Sequence, residues 1–373
     1  MQTGRVSRRI ALVEPYFGGS HRAWAEGYAT HSQHEVEVFG LPATHWKWRL
    51  QGGHVSLAPS IGSSTDTRGR FDAVMASSMT NVAALMGLCR GSLGGARVAV
   101  YMHENQLTFP WSARDRPDLT YAMINWTSML AADVVLWNSA YHRDEWFDAL
   151  PGFLRRFPDR RHHALVGQVR DKSHVSPVGL DLAPLAEVDR MQRTRPLVLW
   201  NQRWEYDKGP SEFARAISDL LAAGADIDVA LAGERFGDEP AELATLRALL
   251  GTRLVHDGYA ELGEYRRLLR SADVVVSTAH HEFFGVAVAE AIWAGAMPVV
   301  PDRLVYPERV PPHLRPRCLY GTPDELVDRL RWAVEHRDDA AAIASELGRE
   351  VASFDWPIVA AGYDDLVLPA TVG

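Results

Sequence analysis

Short apolar, β-branched runs recur along the chain at residues 10–13, 36–39, 71–75, 98–102 and 134–137, each closed by polar, Gly or Pro positions. Apolar residues on both alternations of so short a run suit parallel strands covered on both faces. Stretches with apolar residues at helical spacing, such as 81–88 and 119–132, lie between several of them. This βα alternation predicts an open, doubly wound sheet. The pattern changes at Pro151: up to Pro196 the chain is rich in Arg, His and Pro, and only 175–178 reads as a strand. A second series follows at 197–200, 227–231, 254–256, 274–277 and 297–300, then a long helical stretch over 323–352 and an amphipathic tail after Phe354-Asp355-Trp356-Pro357. The expected architecture is α/β, with Rossmann-like domains at 1–181 and 197–353, a linker at 182–196, and a segment 354–373 that crosses back to the first domain. Doubly wound sheets bind ligands outside the carboxyl ends of their strands. Two such domains facing a central cleft would place the chemistry on their strand-to-helix loops.

Composition narrows the classes. At 373 residues, two domains are the natural expectation, and 47% hydrophobic with 23% charged residues excludes a disordered or fibrous chain. The formal net charge of -8 repels polyanions as a whole, so a nucleic-acid contact would need a local basic patch. Cys89 and Cys318 are too distant in sequence for a CxxC motif and too few for a disulfide framework, which fits a reducing, cytoplasmic compartment. The basic start carries only a four-residue apolar run before Glu14 and Pro15, which reads as a strand and not as a signal peptide. No run approaches the length of a membrane span.

Four loops carry candidate chemistry. After the first strand stands Pro15-Tyr16-Phe17-Gly18-Gly19-Ser20-His21, whose glycines allow either a tight turn or a close approach to an anion at a helix N-terminus. It is not GxGxxG, and no acidic residue ends a second strand about twenty residues later in the way a dinucleotide ribose needs. After the fourth strand stand His103, Glu104, Asn105 and Gln106, able to grip a polyhydroxylated ligand or to cap the next helix; a zinc site would want a second His or Cys at ligand spacing. After the strand at 197–200, Arg203 and Lys208 can converge on a phosphate, or pair with Glu205 and Asp207. The most informative segment is His280-His281-Glu282-Phe283-Phe284-Gly285-Val286-Ala287-Val288-Ala289-Glu290, with two glutamates separated by seven residues. Glu282, in the loop, can accept from ligand hydroxyls, and Glu290, inside the following helix, can hold the paired hydroxyls of a ribose. Adjacent histidines seldom point at one ion, so His280 and His281 make a poor metal pair.

Together these residues resemble the retaining, nucleotide-sugar-dependent family-4 glycosyltransferases of GT-B fold. The Glu282–Glu290 pair, Arg203 with Lys208, and the final Phe354-x-Trp356 helix carry that likeness. Within that superfamily the chain is similar to the tRNA-queuosine alpha-mannosyltransferases, through EPYFGGSH (14–21), LPATHWKWR (41–49), MHENQLTFP (102–110), ADVVLWNS (132–139), RWEYDKG (203–209), ADVVVSTAHHEFFGVAVAEA (272–291) and LVYPE (304–308). The resemblance implies transfer of mannose from GDP-mannose, with retention, to the cyclopentenediol of queuosine in a tRNA anticodon. It assigns Arg203 and Lys208 to the donor diphosphate, Glu290 to the ribose, and Glu282 with His103 to the donor sugar. Backbone amides of Phe283, Phe284, Gly285 and Val286 would meet sugar and phosphate, and Gly18 with Gly19 would close the diphosphate pocket. Ser20, His21, Trp46, Trp48, Glu104, Asn105 and Gln106 are the acceptor candidates. Trp46 and Trp48, two residues apart on an expected strand, offer either stacking faces or core.

Two departures stand out: Gln202 where a histidine is expected before Arg-Trp-Glu, and a Gly-rich stretch, Gln51-Gly52-Gly53, read as a loop. Retaining transfer chiefly demands stabilisation of the departing diphosphate. Arg203, Lys208 and helix amides suit that without a metal or other cofactor, and the leaving phosphate can take the acceptor proton. For RNA, residues 154–172 hold Arg155, Arg156, Arg160, Arg161, Arg170 and Lys172 against Asp159 and Asp171. This is a backbone-tracking patch or a solvated loop. A glycosyltransferase acting on a small molecule, lipid or glycan, an epimerase-type enzyme, and a non-enzymatic RNA-binding protein are the competing readings.

Overall fold

The structure, a computed structural model, describes residues 7–110, 118–191, 193–235 and 240–370. The chain divides into two units, Met1–Gly179 with Trp356–Gly373, and Leu180–Asp355.

The first unit is built on β1 (Arg9–Phe17), β2 (Glu35–Pro42), β3 (Ala73–Ser77), β4 (Arg97–Met102), β5 (Val134–Trp137) and β6 (Ser173–Val175), all parallel, in the order β2-β1-β3-β4-β5-β6. Ile10 to Val13 and Ala73 to Ala76 are fully buried, because helices cover both faces and every alternate position meets the core. The chain steps outward from β1 to β2 and then returns to β3, so the order reverses between β1 and β3. That switch point lies beside the Glu14–His21 loop. The expected strand at 175–178 instead runs from Ser173 to Val175, since Pro177 has no N–H to give the ladder.

Other expectations for this unit are overturned. Trp46 and Trp48 open a helix, Trp46–Arg68, and do not lie on a strand; the same helix runs straight through the supposed Gly-rich loop. The glycines serve close packing: a Cβ on Gly53 would lie 2.6 Å from the Pro15 side chain, and one on Gly52 3.0 Å from the Trp48 ring. The region after Pro151 also holds a helix, Leu165–Asp171, that its composition concealed. The final helix, Trp356–Val367, packs on this unit. The Trp356 ring occupies the space that a side chain at Gly27 or Gly179 would fill, since a Cβ at either position would lie 2.1 or 2.3 Å from it.

The second unit carries β7 (Leu197–Trp200), β8 (Asp228–Ala232), β9 (Leu254–Gly258), β10 (Val274–Val276), β11 (Met297–Pro301) and β12 (Leu319–Tyr320), again all parallel, in the order β12-β11-β10-β7-β8-β9. Here the reversal lies between β7 and β10, which are neighbours although the chain leaves them in opposite directions. Residues 182–196, expected as a linker, belong with this unit. Their arginines reach carboxylates at strand starts, Arg190 to Asp273 at 3.3 Å and Arg193 to Asp228 at 2.7 Å. The long helical stretch is two helices, Pro323–Glu335 and Arg337–Val351, broken at His336, and Arg337 turns into the unit to meet Asp273 at 3.1 Å. Among the described residues no helix is long and apolar enough to cross a membrane, and both cysteines are buried and unpaired.

Candidate active site

The β7–β10 switch point brings together side chains far apart in sequence. Lys208 ends a short 3-10 turn, Tyr206–Lys208, and Gly209 follows with φ 64°. A Cβ on Gly209 would lie 2.3 Å from the Thr278 carbonyl oxygen, so glycine is what lets the β7 loop lie against the β10 loop. The Lys208 ammonium is buried. It donates to the His281 carbonyl at 2.9 Å and lies 3.3 Å from Asp207 and 3.4 Å from Glu282. Burial opposes its charge, but Glu282 and Asp207 outweigh this and raise its pKa. Arg203 is exposed and 3.3 Å from Glu205.

Burial pulls against the Glu282 charge as well, yet Lys208 and the amides of Phe284 and Gly285 hold its pKa below the usual carboxylate value. Its Oε1 accepts from the amides of Phe283 at 3.1 Å, Phe284 at 3.3 Å and Gly285 at 3.0 Å. Three of the amides expected to meet the donor are thus engaged by Glu282 here, because the turn into the left-handed Gly285 points them at the preceding carboxylate. The two histidines diverge: His280 reaches Glu212 at 3.4 Å, whereas His281 packs edge-on to Phe283.

Glu290 lies in the helix Val286–Trp293 and accepts from the Tyr265 hydroxyl at 2.8 Å. Asn201 donates to that hydroxyl at 3.2 Å and to the Ala287 carbonyl at 2.7 Å. Burial raises the Glu290 pKa to about 7, against the lowering effect of the Tyr265 hydrogen bond. Sequence reasoning missed Tyr265, which sits in an exposed-looking amphipathic helix, Leu262–Ser271. Asn201, at the carboxyl end of β7, was a legible clue to a polar network there.

In the first unit, Gly18 and Gly19 separate. A Cβ on Gly18 would lie 2.5 Å from that of Ala43, a packing reason for glycine, while Gly19 is left-handed at φ 51° and faces open space. Ser20 is exposed and His21 half-buried, both in the first turn of the helix Gly19–His31. His103, at the end of β4, lies against the rings of His21, Trp24 and Tyr101, with centroids 4.4, 4.5 and 4.7 Å away. Burial, reinforced by His21 and His142, pushes it well below the usual histidine range, so it is neutral. The second histidine that spacing did not show is thus supplied by the fold. Asn105 and Gln106 are buried and build the loop: Asn105 accepts from the Leu107 and Thr108 amides at 3.0 and 2.9 Å, and the Gln106 side chain donates to Glu104 at 3.0 Å. Of these acceptor candidates, Asn105 and Gln106 therefore position the loop, and Glu104 is more open. Trp46 packs on Tyr121, 5.3 Å between ring centres, whereas Trp48 is 60% exposed and free to stack.

Residues 9–180 match the N-terminal family model described as tRNA-queuosine alpha-mannosyltransferase, and residues 187–350 match glycosyl transferases group 1. A Drosophila melanogaster tRNA-queuosine alpha-mannosyltransferase is 34% identical over 331 residues, covering 86% of this chain and 85% of the relative. The chain belongs to the tRNA-queuosine alpha-mannosyltransferase family. It is a glycosyltransferase, and its two six-stranded parallel sheets are those of the GT-B fold. Solved structures share that fold at low identity. They include sucrose-phosphate synthase from Thermosynechococcus elongatus (TM-score 0.69, 16% identical, 96% of this chain and 98% of that one) and a Rickettsia africae glycosyltransferase (TM-score 0.69, 13% identical, 98% and 100%).

For this queuosine-transferase family member, the basic segment divides into a surface part and a structural part. Arg155, Arg156, Arg160, Arg161 and Arg170 are exposed around the turn between the helices Ala140–Leu154 and Leu165–Asp171. Lys172 is not part of that surface: its ammonium donates to the Leu130 and Ala132 carbonyls and so caps a helix C-terminus.

Proposed function

We propose that this enzyme transfers mannose from GDP-mannose, with retention, to the cyclopentenediol of queuosine in tRNA. The observation that carries the acceptor reading is the likeness of residues 9–180 to the family's own N-terminal part, because the second unit's motifs are common to glycosyltransferases with many acceptors. On the donor side, Arg203 and Lys208 neutralise the diphosphate as negative charge develops on departure, at a helix start whose amides favour an anion. Glu290 receives the ribose hydroxyls, and Glu282 and His103 accept from the donor sugar. No metal is needed for this: two side-chain cations meet the charge. Glu104, His21 and Trp48 face the queuine moiety, and Arg155, Arg156, Arg160 and Arg161 track the tRNA backbone.

The test is mass spectrometry of nucleosides from queuosine-containing tRNA incubated with the purified enzyme and GDP-mannose, with UDP-sugars in parallel. One hexose added to queuosine with GDP-mannose alone is the expected result. Nucleotide-sugar binding with no hexose on queuosine from any donor would overturn the acceptor reading and leave a small-molecule, lipid or glycan acceptor.

A further inference from the structure

The segment LVYPE, residues 304–308, has no part in the donor and acceptor roles given above, yet its geometry is unusual. Leu304 is left-handed at φ 62°, a conformation that residues bearing a Cβ seldom adopt. Two residues later Tyr306 is buried in the second unit, with its hydroxyl 2.6 Å from that of Ser277, just past the end of β10. Ser277 is itself fixed on several sides. Its amide donates to the Val299 carbonyl of β11 at 3.1 Å, its carbonyl accepts from the Tyr320 hydroxyl of β12 at 3.1 Å, and its Oγ accepts from the Ala279 amide at 3.3 Å. Tyr306 is thus tied to the carboxyl ends of three strands. Burial first, and then the Glu282 charge, keeps its hydroxyl protonated well above the ordinary tyrosine range, so the tie does not titrate near neutrality.

The Tyr306 ring lies against the turn that carries Glu282: a Cβ on Gly285 would be 3.6 Å from the ring edge and 3.9 Å from Cγ of Glu282. Phe284, Gly285 and Tyr306 also line a cavity of about 490 Å³, with Val288, Leu347 and Phe354 among its other walls. A turn that faces a cavity lacks the dense packing that fixes side chains elsewhere in a core, so its position depends on the few contacts it makes. The three amide bonds to Glu282 set the internal shape of the turn, and Lys208, 3.4 Å away, restrains the carboxylate from the β7 side. Neither fixes where the turn stands relative to β10, and Tyr306 supplies that link. We propose that Tyr306 is a positioning residue for Glu282: tied to Ser277, its ring holds the Glu282–Gly285 turn in register with the sheet, so that the carboxylate stays where the donor sugar meets it. This rests on the reading of Glu282 as a donor-sugar contact, and every residue of the device belongs to the second unit.

The experiment compares the unaltered enzyme, Tyr306→Phe, Glu282→Gln and the double variant, in calorimetric binding of GDP-mannose and of GDP and in kcat with queuosine-containing tRNA. Tyr306→Phe keeps the ring and removes only its tie to Ser277. It is expected to lower kcat about tenfold and GDP-mannose affinity about fivefold, while GDP affinity changes less than about twofold. In the Glu282→Gln enzyme it is expected to add nothing to the affinity loss, because a residue that acts through Glu282 has no effect once that carboxylate is gone. Equal losses for GDP-mannose and GDP, a loss of full size in the Glu282→Gln background, or an unchanged kcat overturns the proposal. If Tyr306→Phe does not fold, Ser277→Ala is put through the same cycle, with the same expected and contrary results. A failure of the donor-sugar reading shows differently: Glu282→Gln then retains the kcat and GDP-mannose affinity of the unaltered enzyme. Hydrogen exchange decides the placement in that case. The Phe284 and Gly285 amides are expected to exchange about tenfold faster in Tyr306→Phe than in the unaltered protein, and unchanged exchange refutes the role given to Tyr306.

Discussion

Glu290, proposed above to hold the donor ribose, ends a local hydrogen-bond chain. Asn201 gives its proton to the Tyr265 oxygen, which leaves the Tyr265 proton directed at Glu290. A carboxylate with one oxygen so occupied is held in one rotamer. Because burial raises its pKa to about 7, part of the population is protonated at neutral pH and has lost acceptor capacity. Donor binding that favours the ionised form releases a proton below this pKa, so nucleotide-sugar affinity is expected to rise with pH up to about 7 and to level off above it. Tyr265→Phe removes a hydrogen bond to the charged form. It should therefore move the midpoint to higher pH and weaken binding near neutrality about tenfold, with kcat nearly unchanged. Calorimetric titrations across this range check both statements, and a flat affinity profile would contradict the role given to Glu290.

At the scale of elements, the last helix shows how a terminal segment is tied to a helix distant in sequence, Gly19–His31. Asp364 is buried and accepts from the Tyr28 hydroxyl at 2.9 Å, the Ser32 hydroxyl at 2.6 Å and the Gln33 amide at 2.9 Å. Burial first, and then Asp364, keeps the Tyr28 hydroxyl protonated well beyond its ordinary range. Asp364→Ala strands these donors and is expected to cost about 2–4 kcal/mol in urea unfolding. Gly27→Ala acts by another route, since its Cβ would lie 2.1 Å from the Trp356 ring and force the helix away. Limited proteolysis should then release the segment after residue 355, which the unaltered protein retains.

Over the whole molecule, a net charge of -8 coexists with a cluster of exposed arginines between residues 155 and 170. The overall field disfavours RNA, so the tRNA contact proposed above draws on counterion release at that cluster. Arg155→Ala with Arg156→Ala should weaken tRNA binding and reduce the slope of log affinity against log salt by about 1–2, leaving nucleotide-sugar affinity unchanged. Filter binding at several salt concentrations checks this, and an unchanged slope would remove these residues from the interface. Lys172→Ala should leave the slope alone, because its ammonium is spent on helix carbonyls.

Strand positions were largely legible because a strand buried on both faces must be apolar at every residue, a signal local to four or five positions. The run at 134–137 and that at 197–200 coincide with β5 and β7. The Glu282–Glu290 spacing was legible for a similar reason: a loop carboxylate and one about a turn into a helix are set by chain geometry alone. What stayed hidden depended on partners far away in the chain. Gly52 and Gly53 read as a loop, yet they lie inside the helix Trp46–Arg68, where Gly53 packs close against Pro15 of the first strand. Residues 182–196 read as a linker, yet their arginines meet carboxylates at strand starts. The burial of Glu14 against His21 was hidden in the same way, because nothing in EPYFGGSH says that a strand-to-helix turn folds His21 back onto it. The sequence by itself determined most of the strands, the Glu282–Glu290 pair and the family. The tertiary structure alone decided which carboxylates are buried, what each one holds and in which protonation state, because desolvation and hydrogen bonding act through space and not along the chain.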